Sequence, residues 1–448
     1  HLGLAVPGFF FEPRSGALYP LVFRALQRDL GHAIQHAAFE FAQMQTTFPV
    51  EDYRSLGRRA LVDATGAADA RLAKLARELD FLLAITPVNT EEAWQRFSAN
   101  GYSRNPALHY RPLTVDPDLY RRDLYAVKIE EAEDPAVAAL LRAKRQELDE
   151  IVMLLEERGT RRFLLTSLKL FGGVDDDLAA MAESLLARVD RDGRTDPAEL
   201  IPVGELADLA RAEIRRYAED APVGDARVIV RDDVPGVMVV GADVIIGANS
   251  RIARARAQAL LQHEVGTHLV TAINGRAQPL KLLEVGLPGY METQEGLAVF
   301  AEYVAGGLTT RRLATLAARV VAVRALIDGA EFVDTFRALH RDVGLTPRRA
   351  FSVAMRVHRA GGLTKDAIYL RGVDAVLRYL AVPNSVEPLI VGKLALPDVE
   401  IIEELQRRGV LKPPPLRPRW LDFPDGRARL ESARRGLTVL DLAEGSTL

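Results

Sequence analysis

Apolar side chains recur at helical spacing along most of the 448-residue chain. The clearest amphipathic stretch is 135–158. Val137, Leu140, Leu141, Leu148, Ile151, Leu154 and Leu155 line one side, charges line the other, and Arg158-Gly159 closes it. Leu21 to Met44 reads as one or two helices. Glu51 to Leu83 carries Leu56, Leu61, Leu72, Leu75 and Leu79 at the same period, with Pro87 as a stop. Thr90 opens a further helix with Glu91 and Glu92 in its first turn, favourable to the helix dipole. Phe163–Phe171, Leu178–Val189 and Val203–Ala218 follow. The acidic run between the first two lacks the spaced acids, central glycine and closing glutamate of a calcium loop, so it reads as a solvated helix start.

The period then changes. Arg227–Arg231 and Gly236–Ile246 are β-branched and separated by the turn sequence Asp232-Asp-Val-Pro-Gly, which predicts a small hairpin or sheet. It either packs beneath the next helix or offers an edge for a substrate backbone. The next helix runs through Leu260 and Leu269 and is expected to stop at Asn274-Gly275. A Gly286–Gly289 loop leads into a helix over Glu292–Val304. Helices over Leu308–Ala325, Glu331–Val343 and Pro347–Ala360 precede a Gly361-Gly362 turn with Thr364 as N-cap. After Lys412, five prolines (413, 414, 415, 418 and 424) predict an extended tail over the surface. The fold class is mainly α with a small β-sheet (α+β). It divides into an N-terminal helical region (1–165), a central unit (166–412) and a Pro-rich tail (413–448).

Composition narrows the function classes. A net charge of −3 provides no global basic field for nucleic acid or anionic membrane. No run approaches the roughly 18 apolar residues of a spanning helix. The opening HLGLAVPGFFFEPR has no basic segment and is broken by Pro7, so it does not read as a signal peptide. These features lead us to expect a cytoplasmic protein. The chain has no cysteine, which leaves His, Asp and Glu as its metal ligands.

Those residues converge in one stretch, LLQHEVGTHLV followed by QEGLAVFAEYVAGG. His263 and Glu264 are adjacent, and His268 follows four residues after the glutamate. Two imidazoles, a neighbouring carboxylate and a later one are what a catalytic zinc site requires. The two histidines are five apart, which a regular helix places roughly 140° apart. Either a π-bulge, eased by Gly266, brings both rings to one side, or the helix ends near Gly266 and His268 comes from the next turn. Burying two histidines and a glutamate in this apolar setting is costly unless something pairs with them, as a metal would. Glu295 and Glu302 are seven apart, about 20° from alignment, so both can face one site. Glu302 then either orients a histidine ring or lies on the surface. Elsewhere, His32 and His36 are four apart without a carboxylate beside them, and His340 and His358 stand alone. All four read as structural or surface residues. Lys365 and Tyr369 share a helix face, with Arg356 and Arg371 close in sequence. This group is either a site for a substrate carboxylate or a salt-bridge cluster.

The ordered motifs HEVGTHLVT, NGRAQP, QEGLAVFAEY and RAGGLTKDAIYLRG resemble the QEGLA-motif family. That family includes bacterial proteins described as flavohaemoglobin-expression-modulating and the animal microtubule-associated tyrosine carboxypeptidases. The resemblance covers Phe48 to Leu421 and is densest from Val237 to Lys393. It implies a zincin-like metallopeptidase core in which His263, His268 and Glu295 hold Zn2+ and Glu264 is the general base. It also implies carboxypeptidase-like hydrolysis at a peptide or protein C-terminus. Lys365, Arg356 and Arg371 would hold the terminal carboxylate, and Tyr369 or Tyr303 would donate to the oxyanion. A zinc amidohydrolase acting on a small molecule and a non-catalytic zinc-containing regulator are the competing classes.

Overall fold

The computed structural model describes residues 4–47, 53, 56, 61–132, 134–188, 199–234, 236–382 and 384–444. The helical periodicity folds as a series of helices. The first are α1 (Pro20–Gln45), α2 (Asp63–Glu78), α3 (Phe81–Ala84), α4 (Thr90–Ala99), α5 (Pro117–Tyr125) and α6 (Pro135–Glu156). Asp116 and Asp134 cap α5 and α6, each accepting from two backbone N–H groups ahead of a proline at the first helical position. Helices α7 (Arg162–Phe171), α8 (Asp176–Ala187) and α9 (Val203–Asp220) follow, and the acidic run before α8 serves as its cap through Asp175. The second helix starts at Asp63 rather than Glu51, because Val62 is extended. Most of 51–60 lies outside the described residues.

Five short strands follow among the described residues. β1 (Leu200–Ile201) pairs with β5 (Ile252–Ala253), while β2 (Arg227–Arg231), β3 (Val237–Val240) and β4 (Asp243–Gly247) form a three-stranded sheet. The expected turn at 232–236 does not close a hairpin. β2 runs parallel to β4, and the hairpin is β3–β4, turning at Gly241-Ala242. The order β2-β4-β3 leaves β3 at an edge without a further strand partner among the described residues. Val237, Val239, Val244 and Ile246 bury the inner face of the sheet against Leu261, Val265 and Leu269.

Those three residues belong to one continuous motif helix, made of α10 (Arg254–His263), a π turn (Glu264–Leu269) and α11 (Val270–Ala277). Asn274-Gly275 does not stop it, since the helix runs on to Ala277 and both residues are buried within it. Short α12 (Leu282–Val285) and the Gly286–Gly289 loop lead to α13 (Tyr290–Val304), then α14 (Thr310–Ile327), α15 (Phe332–Arg337), α16 (Pro347–His358) and α17 (Ile368–Ala381). The main apolar core runs from Ala68 to Ala443, with α13 near its centre. α13 and α17 touch through backbone. A Cβ on Gly296 would lie 2.2 Å from the Gly372 carbonyl carbon, and one on Gly372 would lie 2.2 Å from Glu292 O. Only glycine on both sides permits that approach.

The C-terminal segment is not a surface tail. Leu416 and Trp420 are 0% exposed, and α18 (Val399–Arg407), α19 (Gly426–Arg434) and α20 (Val439–Glu444) flank or follow this stretch. No helix forms over 412–418, a 3₁₀ turn follows at Arg419–Asp422, and the stretch runs as a strap through the core. Thr364 does not act as an N-cap either. Its hydroxyl donates to Ser167 O and its N–H to Ser167 Oγ, tying the 3₁₀ turn Thr364–Ala367 to α7.

The isolated histidines stay apart from the motif helix. His36 stacks on Tyr53 at 3.5 Å, and His340 Nδ1 lies 2.7 Å from Leu345 O. His358 Nε2 lies 2.8 Å from the Thr335 hydroxyl, and burial pulls its pKa down to about 4. The unfolded chain binds a proton near pH 6.5 and the folded chain does not. Stability is therefore unaffected above pH 6.5 and falls as pH drops from there to about 4, by up to roughly 3 kcal/mol. Urea midpoints at pH 7 and pH 5 should show a smaller difference in His358→Gln than in the parent. An equal difference would remove His358 as the source.

Candidate metal centre

The π turn decides the geometry. Val270 N–H would reach Gly266 O in an α-helix, but here it is shared between Val265 O, five residues back, and Thr267 O. The widened turn brings the His263 and His268 rings to one side, with centroids 5.0 Å apart and planes at 83°. Gly266 does not ease the turn through unusual backbone angles. A Cβ there would lie 2.5 Å from Gln262 Oε1 and 3.1 Å from Trp420 Cδ1, so space is what the position demands. The extra residue in the turn leaves carbonyls to satisfy, and side chains supply donors. Thr267 Oγ1 donates to Gln262 O at 2.9 Å, and Thr271 Oγ1 lies 2.8 Å from Thr267 O.

α13 crosses the motif helix and delivers both glutamates. Glu295 Oε2 lies 3.8 Å from His263 Nε2 and 3.7 Å from His268 Nε2. One donor atom from each of the three side chains lies within 4.8 Å of the others. Donors around a four-coordinate zinc with bonds of about 2.0–2.1 Å stand about 3.3 Å apart, so the His₂Glu set needs only a small closure to fit such an ion. Seven residues along α13, Glu302 is 1% exposed, and its Oε1 sits 2.9 Å from His263 Nδ1. That contact fixes the His263 ring and directs Nε2 toward Glu295 and His268. Glu302 also receives Arg256 at 2.7 Å and Arg312 at 3.1 Å. Burial would raise its carboxyl, but Arg312 and His263 outweigh burial and hold it below the usual range.

Glu264 is buried beside the two rings. Burial pushes its carboxyl pKa up against the pull of His263 and His268, which suits a proton acceptor working near neutral pH. Glu295 shows the opposite balance. Burial opposes its charge, yet Lys365, with Nζ 3.0 Å from Oε1, holds it well below the ordinary carboxylate range. Lys365 is 3% exposed and also sits 5.3 Å from the centroid of the Tyr369 ring.

The other predicted substrate residues divide. Arg356 makes two bonds to Asp366, at 2.5 and 2.8 Å, beside Lys365. Arg371 is not brought to the cluster, because its guanidinium bonds Glu292, Gly173 O and Phe171 O and locks the end of α7 to α13. Tyr303 also turns away. One residue beyond Glu302 it has rotated about 100° around the helix, and it packs on Phe300 near Arg429.

Two cations that sequence reasoning missed join the cluster around Asp366. Arg319 lies seven residues along α14 from Arg312, with its guanidinium 4.9 Å from the Tyr369 ring centroid and Nε 3.6 Å from Asp366. Arg359 is 6% exposed and follows α16. The next residue, Ala360, has a φ of 60°, a conformation costly for a side chain with a Cβ, and is held by Tyr110 Oη and Gly159 N. The Nε atoms of Arg319 and Arg359 are buried without a hydrogen-bond partner among the described residues. A lone arginine in the apolar run AARVVAV and an arginine directly before Ala-Gly-Gly were the available signals.

A model of the microtubule-associated tyrosine carboxypeptidase family matches residues 95–437, well over half of the chain. The chain belongs to that family. No curated protein matches it. No helix among the described residues is long and apolar enough to cross a membrane.

Proposed function

We infer, from family membership and the site together, that this protein is a zinc-dependent carboxypeptidase-like hydrolase with a zincin-like core within residues 166–412. The observation that carries the reading is the set of His263, His268 and Glu295 donors converging beside buried Glu264. Zinc held there would supply Lewis acidity, making a water acidic near neutral pH and polarising a peptide carbonyl. Glu264 accepts the proton of the attacking water and passes it to the leaving amine. Glu302 keeps His263 oriented, and Lys365 holds one oxygen of Glu295 so that the other faces the histidines. Tyr369, with Lys365 and Arg319 over its ring, is the donor for the oxyanion.

Substrate polarity follows from charge. Arg256, Arg312, Arg319, Arg356, Arg359 and Lys365 give six cations against four carboxylates, Glu264, Glu295, Glu302 and Asp366. A divalent ion would widen the excess. An anion fits this environment, and a carboxypeptidase needs one place for a free C-terminal carboxylate. The Nε atoms of Arg256, Arg319 and Arg359 make no hydrogen bond among the described residues. Arg256 is bonded to Glu302 through its Nη2, and Arg319 and Arg359 lie on the Asp366 side of the cluster, so we assign these two the role ahead of Arg356, which Asp366 already occupies. The family name points to a bulky terminal residue such as tyrosine. β3, at the edge of the sheet and packed against the π turn, offers backbone groups to an extended peptide.

Elemental analysis of the purified protein beside His263→Ala tests the metal. One zinc per chain, lost in the variant, is expected. No zinc in either protein after zinc is offered would end the hydrolase reading. Peptide pairs that differ only in a free or amidated C-terminus test the class. Cleavage of the free acid alone supports a carboxypeptidase, and equal cleavage of both would point to an amidohydrolase.

A further inference from the structure

The C-terminal strap follows the motif helix in the opposite direction. Gln278 accepts from Lys412 N at 2.8 Å and donates to Lys412 O at 2.9 Å. One helical turn back, Asn274 repeats the arrangement with Leu416, accepting from its N at 2.9 Å and donating to its O at 2.8 Å. Asn274 and Gln278 are both 0% exposed, so these amides face protein rather than solvent, and Asn274 Nδ2 also donates to Ile390 O at 2.8 Å. Next along the strap, Arg419 N donates to Tyr217 Oη of α9 at 2.8 Å. The strap then reaches the π turn, where the Trp420 indole N–H donates to Gly266 O at 3.3 Å.

That carbonyl is the one whose α-helical partner, Val270 N, has been diverted to Val265 O and Thr267 O. Trp420 is 0% exposed, and its ring also meets Phe300 on α13 edge-on at 6.0 Å. It therefore touches both helices that carry the His₂Glu donors. Without the indole donor, a buried carbonyl would lose a partner, and reversion toward i→i+4 bonding would become cheaper. Such a reversion would swing His268 away from His263.

We propose that Trp420 is a positioning residue for the metal centre, locking the π turn open so that His263 and His268 remain on one side before any metal arrives. The link to metal binding rests on the zinc reading given above, whereas the effect on the turn does not. Trp420→Phe keeps an aromatic ring in the same space and removes only the donor. In metal-free protein, amide hydrogen exchange over 264–271 should quicken about tenfold or more, while exchange in α14 and α16 stays within about twofold. Zinc affinity, measured by competition with a chelator, should fall roughly tenfold, in the range known for groups that orient metal ligands indirectly. Unchanged exchange in the π turn, or a uniform rise across the whole protein, would overturn the proposal. Zinc affinity that stays at the parent value despite a loosened turn would overturn its link to the metal centre. If the parent protein binds no zinc, the metal reading fails by itself, and the exchange data still decide what Trp420 does.

Discussion

Glu264→Gln is expected to retain zinc at the parent level and to lower kcat by roughly 10³-fold with little change in KM. Glutamine has the same shape and makes no demand on the three donors, none of which lies within hydrogen-bonding distance of Glu264 among the described contacts. It cannot take a proton from water. Burial already works against charge on Glu264, so a neutral amide there should not destabilise the fold. Thermal melting of the metal-free variant should match or exceed that of the parent. Zinc content, melting and steady-state kinetics on one preparation separate the outcomes. Full activity with bound zinc would remove Glu264 as the base. Loss of zinc together with activity would show that the residue supports the ligands instead.

The core of the site was legible because helical geometry is strict. Histidines five apart cannot share a face of a regular helix, and the structure resolves this with a π turn over Glu264–Leu269. Glutamates seven apart must nearly align, and Glu295 and Glu302 both face His263. What the sequence did not reveal depends on which surface covers which. Prolines state that 413–418 do not form a helix but not whether anything lies over them. The sign that something does is Asn274 and Gln278, two amides one turn apart at the end of an apolar helix, although Asn274-Gly275 by itself resembles a stop signal. Likewise, Arg371 looked available for substrate because its neighbours in sequence are. Its partners, Glu292 and the carbonyls at the end of α7, lie 79 to 200 residues away. Arg319 shows the converse, since its importance comes only from the cluster it joins.

The pairing around Asp366 leads to the largest expected effect on stability. Asp366 is 0% exposed, with Arg356 bonded to both oxygens and Arg319 3.6 Å away. Burial alone would raise its carboxyl, but Arg356 and Arg319 outweigh burial and hold it ionised far below the usual range. Asp366→Asn keeps the volume and deletes the charge, leaving a group of cations with no carboxylate in their midst. Removing one partner of such a buried pair typically costs about 3–5 kcal/mol, and here several guanidiniums lose the same partner. The variant's urea midpoint should fall accordingly. The double variant Arg356→Met/Asp366→Asn should recover part of the loss, because it also removes the cation that depended most on the carboxylate. Phosphate or acetate should stabilise the single variant more than the parent by occupying the vacated charge position. A loss below about 1 kcal/mol would mean that the arginines are neutralised by other means. In that case the excess positive charge assigned to holding a substrate carboxylate would have to be withdrawn as well. A full loss with recovery in the double variant would show that Asp366 holds the cations in place while Arg319 and Arg359 keep donors to spare.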